Sequence, residues 1–347
     1  MKKRWSLPAP DAGSGEQPVI YHCTNRVVDR RPVLGEVEKA KFVELMRACE
    51  SYAGIRILSY CVLGAHFHLL LEMPPSPEDR IDDAELLRRI KLLYGGEQTD
   101  IVKQELKSAR KSKSGGDPAV LEIHRQYTDR MHNLSDFIKT LNQRFTRWYN
   151  SRNARQGALW ESPFRSTVIE PGTASRLVAT YIELNAVRAG LVEDPADYPW
   201  CAYGEATAAR KPPSAKAKRA RAGLVRAFFA HEGVAADPAE WRVCHKILRQ
   251  WIEQAAEEAA AVTAGRAKTR CDPEKPGAAL AHRIRHFTDG VAIGRRDFIE
   301  RFFELHRARF SRKRTHGAKI IRGPLAAVAK SEGLFSLRDL QKDIECC

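Results

Sequence analysis

The run "IRILSYCVLGAHFHLLLEMPP", residues 55–75, constrains the fold more than any other stretch. Its β-branched and apolar side chains predict two strands joined or bent near Gly64, and Pro74 and Pro75 end the second because proline brings no backbone N–H to a ladder. Residues two apart on a strand share a face, so His66 and His68 present two imidazoles on one side while Phe67, Leu69 and Leu71 point to the other. Such a pair has two readings: ligands for one divalent cation, or two hydrogen-bonded histidines on a half-exposed sheet.

The flanking sequence supplies the rest of an α+β domain. "VIYHCTNRVV", residues 19–28, predicts a strand whose alternation puts Ile20, His22 and Thr24 on one face. "EVEKAKFVELMRACESYAG" carries apolar residues at helical spacing and stops at Gly54. Residues from about 76 to 130 differ, with acids first and then the Ser/Gly-rich "KSARKSKSGGD"; they predict an insertion that buries little and is mobile in its middle. Helical periodicity resumes behind a candidate N-cap at Ser135, and "GALWESPFRSTVIE" predicts a hairpin-like or edge strand. A further helix starts near Thr173 or Ser175 and ends at Gly190.

Charge points to the class of partner. Lys and Arg exceed Asp and Glu by 58 to 43, a formal net charge of +15 over 347 residues, which favours a polyanion and makes nucleic acid the first suspect. The eight cysteines include no CxxC pair to suggest a zinc site, and reduced thiols in a cytoplasmic protein are the simplest account. No apolar run is long enough for a membrane span. The sequence divides into an N-terminal tail (1–18), a first domain (19–205), a basic linker (206–222) rich in Lys, Arg, Ala and Pro, and a mainly helical accessory domain (223–347). Within that last region "FTDGVAIGRRDFIERFF" reads as a turn and an amphipathic helix.

In "TASRLVATYIELNAVRAG", Tyr181 and Asn185 stand at i and i+4 on the apolar stripe that should face the sheet, whereas Glu183 points to solvent. A phenol and a carboxamide on an inward stripe need polar partners, either local ones or those of a reactive site.

Three separated motifs, "YCVLGAHFHLLLE", "GALWESPFRS" and "YIELNAVRAGLVEDPADYPWCAY", together resemble the REP-associated tyrosine transposase branch of the single-tyrosine HUH transposases. The resemblance spans about residues 19–204 apart from the insertion. It departs at Ala186, where the family usually has Pro, and has the apolar Phe67 between the histidines, as is common in this branch.

The resemblance implies a ferredoxin-like antiparallel sheet with helices packed on it and a site in which His66, His68 and Asn185 hold Mg²⁺ or Mn²⁺ while Tyr181 is the nucleophile. It implies cleavage and joining of single-stranded DNA near hairpins formed by REP-like palindromes, through a 5′-phosphotyrosine link, by a cytoplasmic, nucleoid-associated monomer or homodimer. Arg165, Arg188, Trp160, Lys218, Arg219 and Arg221 are candidate DNA contacts. Two other jobs remain open: a domesticated palindrome-binding protein that no longer cuts, and a replication or relaxase-type nickase with the same chemistry. The retention of both histidines, the tyrosine and the asparagine favours catalysis.

Overall fold

The computed structural model describes residues 18–75, 81–111, 116–161, 163–209, 212–229, 240–266 and 271–338. Strand β1 (Val19–Arg26), helix α1 (Glu36–Ala53), β2 (Arg56–Val62) and β3 (His66–Met73) come first. Helices α2 (Asp83–Tyr94), α3 (Gly96–Lys111) and α4 (Gly116–Thr128) precede the long α5 (Leu134–Arg152) and β4 (Arg165–Ile169). There follow α6 (Thr173–Glu183), α7 (Asn185–Arg188), α8 (Ala202–Thr207), α9 (Ala215–Phe229), α10 (Trp241–Thr263), α11 (Pro276–Leu280) and α12 (Arg285–Asp289). The chain ends in β5 (Ala292–Arg295), α13 (Arg296–Leu305), β6 (Lys319–Ile320), α14 (Ala326–Ser331) and β7 (Leu334–Leu337).

The fold is α+β. Among the described residues seven strands make one sheet in the order β2-β3-β1-β4-β5-β7-β6, antiparallel except where β5 runs parallel to β4. Helices cover both faces around β1 to β3. On one face Phe67 of β3 meets Phe42 of α1 at 4.8 Å between ring centroids, and Phe42 meets Phe145 of α5 at 5.4 Å. On the other, Ser59 of β2 donates to the α6 carboxylate of Glu183 at 2.7 Å, and Arg226 of α9 pairs with Glu72 of β3 at 2.7 Å. No helix of the described residues is long and apolar enough to cross a membrane.

Local chemistry explains the main boundaries. Helix α1 ends at Gly54, whose φ of +69° lies in the left-handed region and where a Cβ would come within 2.8 Å of the His132 ring. Helix α5 begins one residue before the candidate cap Ser135, because Asn133 caps it instead, its Oδ1 accepting from the Asp136 N–H at 3.0 Å. Gly223 lets α9 lie directly on β2: a Cβ there would stand 2.5 Å from the Ile57 carbonyl oxygen.

Four expectations are corrected. The insertion is helical on both sides of its Ser/Gly-rich stretch and buries Leu86, Ile90, Leu93, Val102, Leu106 and Val120; residues 112–115 lie outside the described residues, as do 1–17 of the N-terminal tail. β4 is not an edge strand, because β5 pairs with it from a distant part of the chain. The expected linker is helical from Ala215 onward, since Ala217, Ala220 and Gly223 form a small-residue stripe that packs α9 inward while Lys216, Lys218 and Arg219 stay exposed. The C-terminal region is not an independent helical unit, for β5, β7 and β6 extend the same sheet.

Candidate active site

Register decides which side chains meet. Thr24 and Arg26 of β1 lie opposite His68 and His66 of β3, and His22 lies opposite Leu70 on one side and Thr167 of β4 on the other. Paired residues share a face, so the imidazoles of His22, His66 and His68 all stand on the side covered by α6 and α12. The rings of His22 and His68 stack at 5.2 Å, and those of His66 and His68 meet edge to face at 5.2 Å.

Hydrogen bonds fix the tautomers. His22 Nδ1 is 2.7 Å from the Phe287 carbonyl oxygen, and His22 Nε2 is 3.0 Å from His68 Nδ1. A carbonyl only accepts, so His22 carries its proton on Nδ1. Its Nε2 then accepts, so His68 carries its proton on Nδ1 and keeps the Nε2 lone pair. Burial holds both rings neutral: His22 is lowered to about 4 by desolvation, and His68 falls well below the ordinary histidine value through desolvation and then the neighbouring His22, His66, Arg188 and Arg26. His66 is also lowered to about 4, by burial first and then by the positive charges of Arg26 and Arg283.

The helical pair arrives from the opposite wall. Tyr181 is 3% exposed, with its ring 6.3 Å from that of His68 and 5.0 Å from that of Phe287. Helix α6 stops at Leu184 and the chain continues as α7, which carries Asn185. The Asn185 amide nitrogen donates to the carbonyls of Tyr181 at 3.1 Å and Ile182 at 3.2 Å, leaving Oδ1 as the amide atom outside those bonds.

His66, His68, Tyr181, Asn185 and Arg188 line one cavity of about 830 Å³. Its remaining wall has little signature in the sequence: Arg26 at the end of β1, Arg30 in the turn that follows, Arg283 between α11 and α12, and Ala255, Ala256 and Ala259 of α10. Arg26 is pushed down by desolvation and by the like charges of Arg165, Arg30 and Arg283, which together make a concentrated positive field beside the histidines. Arg30 reaches the cavity from a tight turn in which Asp29 and Arg30 hold φ of 59° and 55°. The only signal for this wall in the sequence was the basic character of "TNRVVDRR", which alternation alone does not connect to residue 283.

The other candidates fall elsewhere. Arg188 is committed to the protein: its guanidinium donates to the carbonyls of Tyr181 at 2.6 Å and Leu280 at 2.8 Å and lies 3.9 Å from the Tyr181 ring centroid, so it positions the tyrosine rather than standing free for a phosphate. Arg165 pairs with Asp289 and does not line the cavity. Trp160 is 7% exposed on the opposite face of the sheet, packed among Phe42, Phe67 and Phe145, and offers no surface for a base to stack on. Lys218, Arg219 and Arg221 sit on α9 and line no part of the cavity; Arg219 is 3.8 Å from Glu50, and Arg221 bonds the Ala206 carbonyl at 2.8 Å. Glu183, expected in solvent, is fully buried between β2 and the start of α8; it accepts from Ser59 Oγ and from the Tyr203 N–H, each at 2.7 Å, and desolvation raises it to about 7.

No family model and no curated protein matches the chain. Among solved structures, a REP-associated tyrosine transposase bound to a REP hairpin is similar over 62% of this chain and 89% of that chain, at 13% sequence identity and a TM-score of 0.37. A likeness this loose carries no assignment.

Proposed function

We propose that this chain is a metal-dependent single-strand DNA endonuclease and strand transferase of the transposase type. The observation that carries the reading is convergence: His66, His68, Tyr181 and Asn185, from two distant stretches of sequence, line one arginine-rimmed cavity. The strand order β2-β3-β1-β4, with α1 and α5 as the connecting helices, is that of a ferredoxin-like split βαβ unit and supports the resemblance.

The donor set suits a dication. His68 offers a bare Nε2, His66 is a neutral imidazole, and Asn185 offers a carboxamide oxygen, a mixed nitrogen and oxygen set appropriate to Mg²⁺ or Mn²⁺. Bound by these residues, the ion would draw charge off a phosphodiester and orient it.

The chain's own groups do the rest. Tyr181 attacks phosphorus, the bond from phosphorus to the 3′-oxygen breaks, and the phenol proton is lost as the leaving 3′-oxygen gains one. The product is a 5′-phosphotyrosine with a free 3′-hydroxyl; a second 3′-hydroxyl reverses the step, so strands are joined without a nucleotide cofactor. Arg188, stacked on the Tyr181 ring, stabilises negative charge that develops on the phenol. Arg26, Arg30 and Arg283 hold the flanking phosphates. A single tyrosine serves one strand at a time, which fits single-stranded substrates with hairpins.

The test uses single-stranded hairpin oligonucleotides copied from palindromes flanking the gene, labelled at the 3′ end, with Mg²⁺ or Mn²⁺. Label that migrates with the protein in a denaturing gel supports the reading. Tight hairpin binding with neither cleavage nor adduct in either metal replaces it with the non-cutting palindrome-binding protein.

A further inference from the structure

We infer that Glu258, Cys271 and His282 form a second metal site, of the zinc type, bracing the cavity wall made by α10 and the segment between α11 and α12. Each offers one ligand atom, and the three atoms lie within 4.8 Å of one another. Glu258 Oε1 and His282 Nε2 are 3.2 Å apart, close to the spacing of two ligands on one tetrahedral ion. Glu258 comes from α10, Cys271 precedes α11 and His282 follows it, so an ion here ties α10 to the segments on both sides of α11.

The chemistry singles out the ion. A thiolate, an imidazole and a carboxylate are the three donor types that Zn²⁺ accepts, whereas Mg²⁺ and Ca²⁺ avoid sulfur. Binding releases the Cys271 proton to solvent, and the complex of Zn²⁺ with one thiolate and one carboxylate is neutral, which suits a site where Cys271 is only 9% exposed and the Glu258 side chain 15%. Three protein ligands leave a fourth position for water. Without an ion, a thiol is left beside the carboxylate that already receives His282.

The site stands apart from the nucleophile but not from its cavity. His282 and its neighbours Ala281 and Arg283 line the same space as His66 and Tyr181, and Arg283 lowers the His66 imidazole by its charge. Fixing His282 fixes the backbone that carries Arg283. The sequence hid the site because its residues keep no recurrent spacing and include no CxxC pair.

The site and the proposed transposase reaction are separable by spectroscopy, because His66, His68 and Asn185 include no sulfur. The full-length protein, stripped of metal, is titrated with Co²⁺. A thiolate-to-cobalt charge-transfer band is expected, saturating at one equivalent, bleached by Zn²⁺, lost in Cys271→Ser, weakened in His282→Gln and retained in a His66→Ala, His68→Ala double variant. The primary reading is made on the unaltered protein, so a variant that fails to fold does not spoil it. Absence of the band in the unaltered protein overturns the proposal, as does a band that persists in a folded Cys271→Ser protein or disappears in a folded His66→Ala, His68→Ala protein.

Discussion

His22 Nε2 lies 3.0 Å from His68 Nδ1, and the far side of His22 is anchored to the Phe287 carbonyl at 2.7 Å. The two contacts make a chain of donors that ends at the bare Nε2 of His68, so the tautomer of His68 is set from a residue on the neighbouring strand and from a helix more than two hundred residues away. Partners behind a ligating histidine typically change metal affinity about 10–100-fold when lost. In His22→Phe, which keeps the ring but removes the acceptor, Mn²⁺ affinity measured by titration calorimetry falls within that range. His22→Gln, whose side-chain oxygen replaces Nε2 as acceptor, recovers part of the loss. Equal affinities in the unaltered and Phe proteins would remove His22 from the site.

On the proposed function, the arginines that line the cavity are where DNA would be held. Arg26→Ala and Arg283→Ala each weaken hairpin binding and reduce the dependence of log affinity on log salt by roughly one phosphate contact, ~0.7 for single strands. Lys218→Ala and Arg219→Ala, on the exposed face of α9, leave both quantities unchanged. Filter binding across a salt series distinguishes the two sets.

Glu183 predicts a pH signature in stability. Its carboxyl is raised from 4.5 to about 7 in the folded protein, chiefly by burial. A raised group contributes stability that is fully present below the unfolded value and is lost as pH rises through the folded one. Glu183→Gln keeps an acceptor for the Tyr203 N–H and nearly the same shape beside Ser59 but cannot ionise. Relative to this variant, the unaltered protein loses on the order of 3 kcal/mol between about pH 4.5 and pH 7 and above. The lowered histidines act in the opposite direction, losing stability as pH falls below about 6.5, but they are common to both proteins and cancel in the difference. Urea unfolding at a series of pH values measures it; a difference that does not change with pH contradicts a buried, ionisable Glu183.

Trp160 separates core from interface. Its ring contacts with Phe42, Phe67 and Phe145 predict that Trp160→Ala destabilises by roughly 3–5 kcal/mol while the folded fraction binds hairpins with unaltered affinity. A loss of affinity in protein still folded at the assay temperature would return Trp160 to the DNA surface.

What was legible in the sequence was local. Two-residue alternation is short-range, so the shared face of His66 and His68 and the strand around His22 followed from it, as did the helical spacing of Tyr181 and Asn185. Their meeting did not. The neighbourhood of His22 and His68 depends on which strands pair, and Arg283 enters through a packing contact across the chain. The burial of Glu183 is not legible in α6 itself, because the partners that enclose it, Ser59 of β2 and the Tyr203 N–H of α8, come from distant stretches of the chain. The added strands were missed for the same reason: β5 is four residues long and β6 two, too short to show a period before the sheet recruits them.

The most direct test of the account is to find the covalent link. The adduct formed on a single-stranded hairpin with Mg²⁺ or Mn²⁺ is digested with nuclease and protease and its peptides are weighed by mass spectrometry. The account predicts a nucleotide joined through its 5′-phosphate to the peptide containing Tyr181, absent in Tyr181→Phe and strongly reduced in His68→Ala. Cleavage that leaves free ends on both fragments, or a nucleotide carried by another tyrosine, would contradict it.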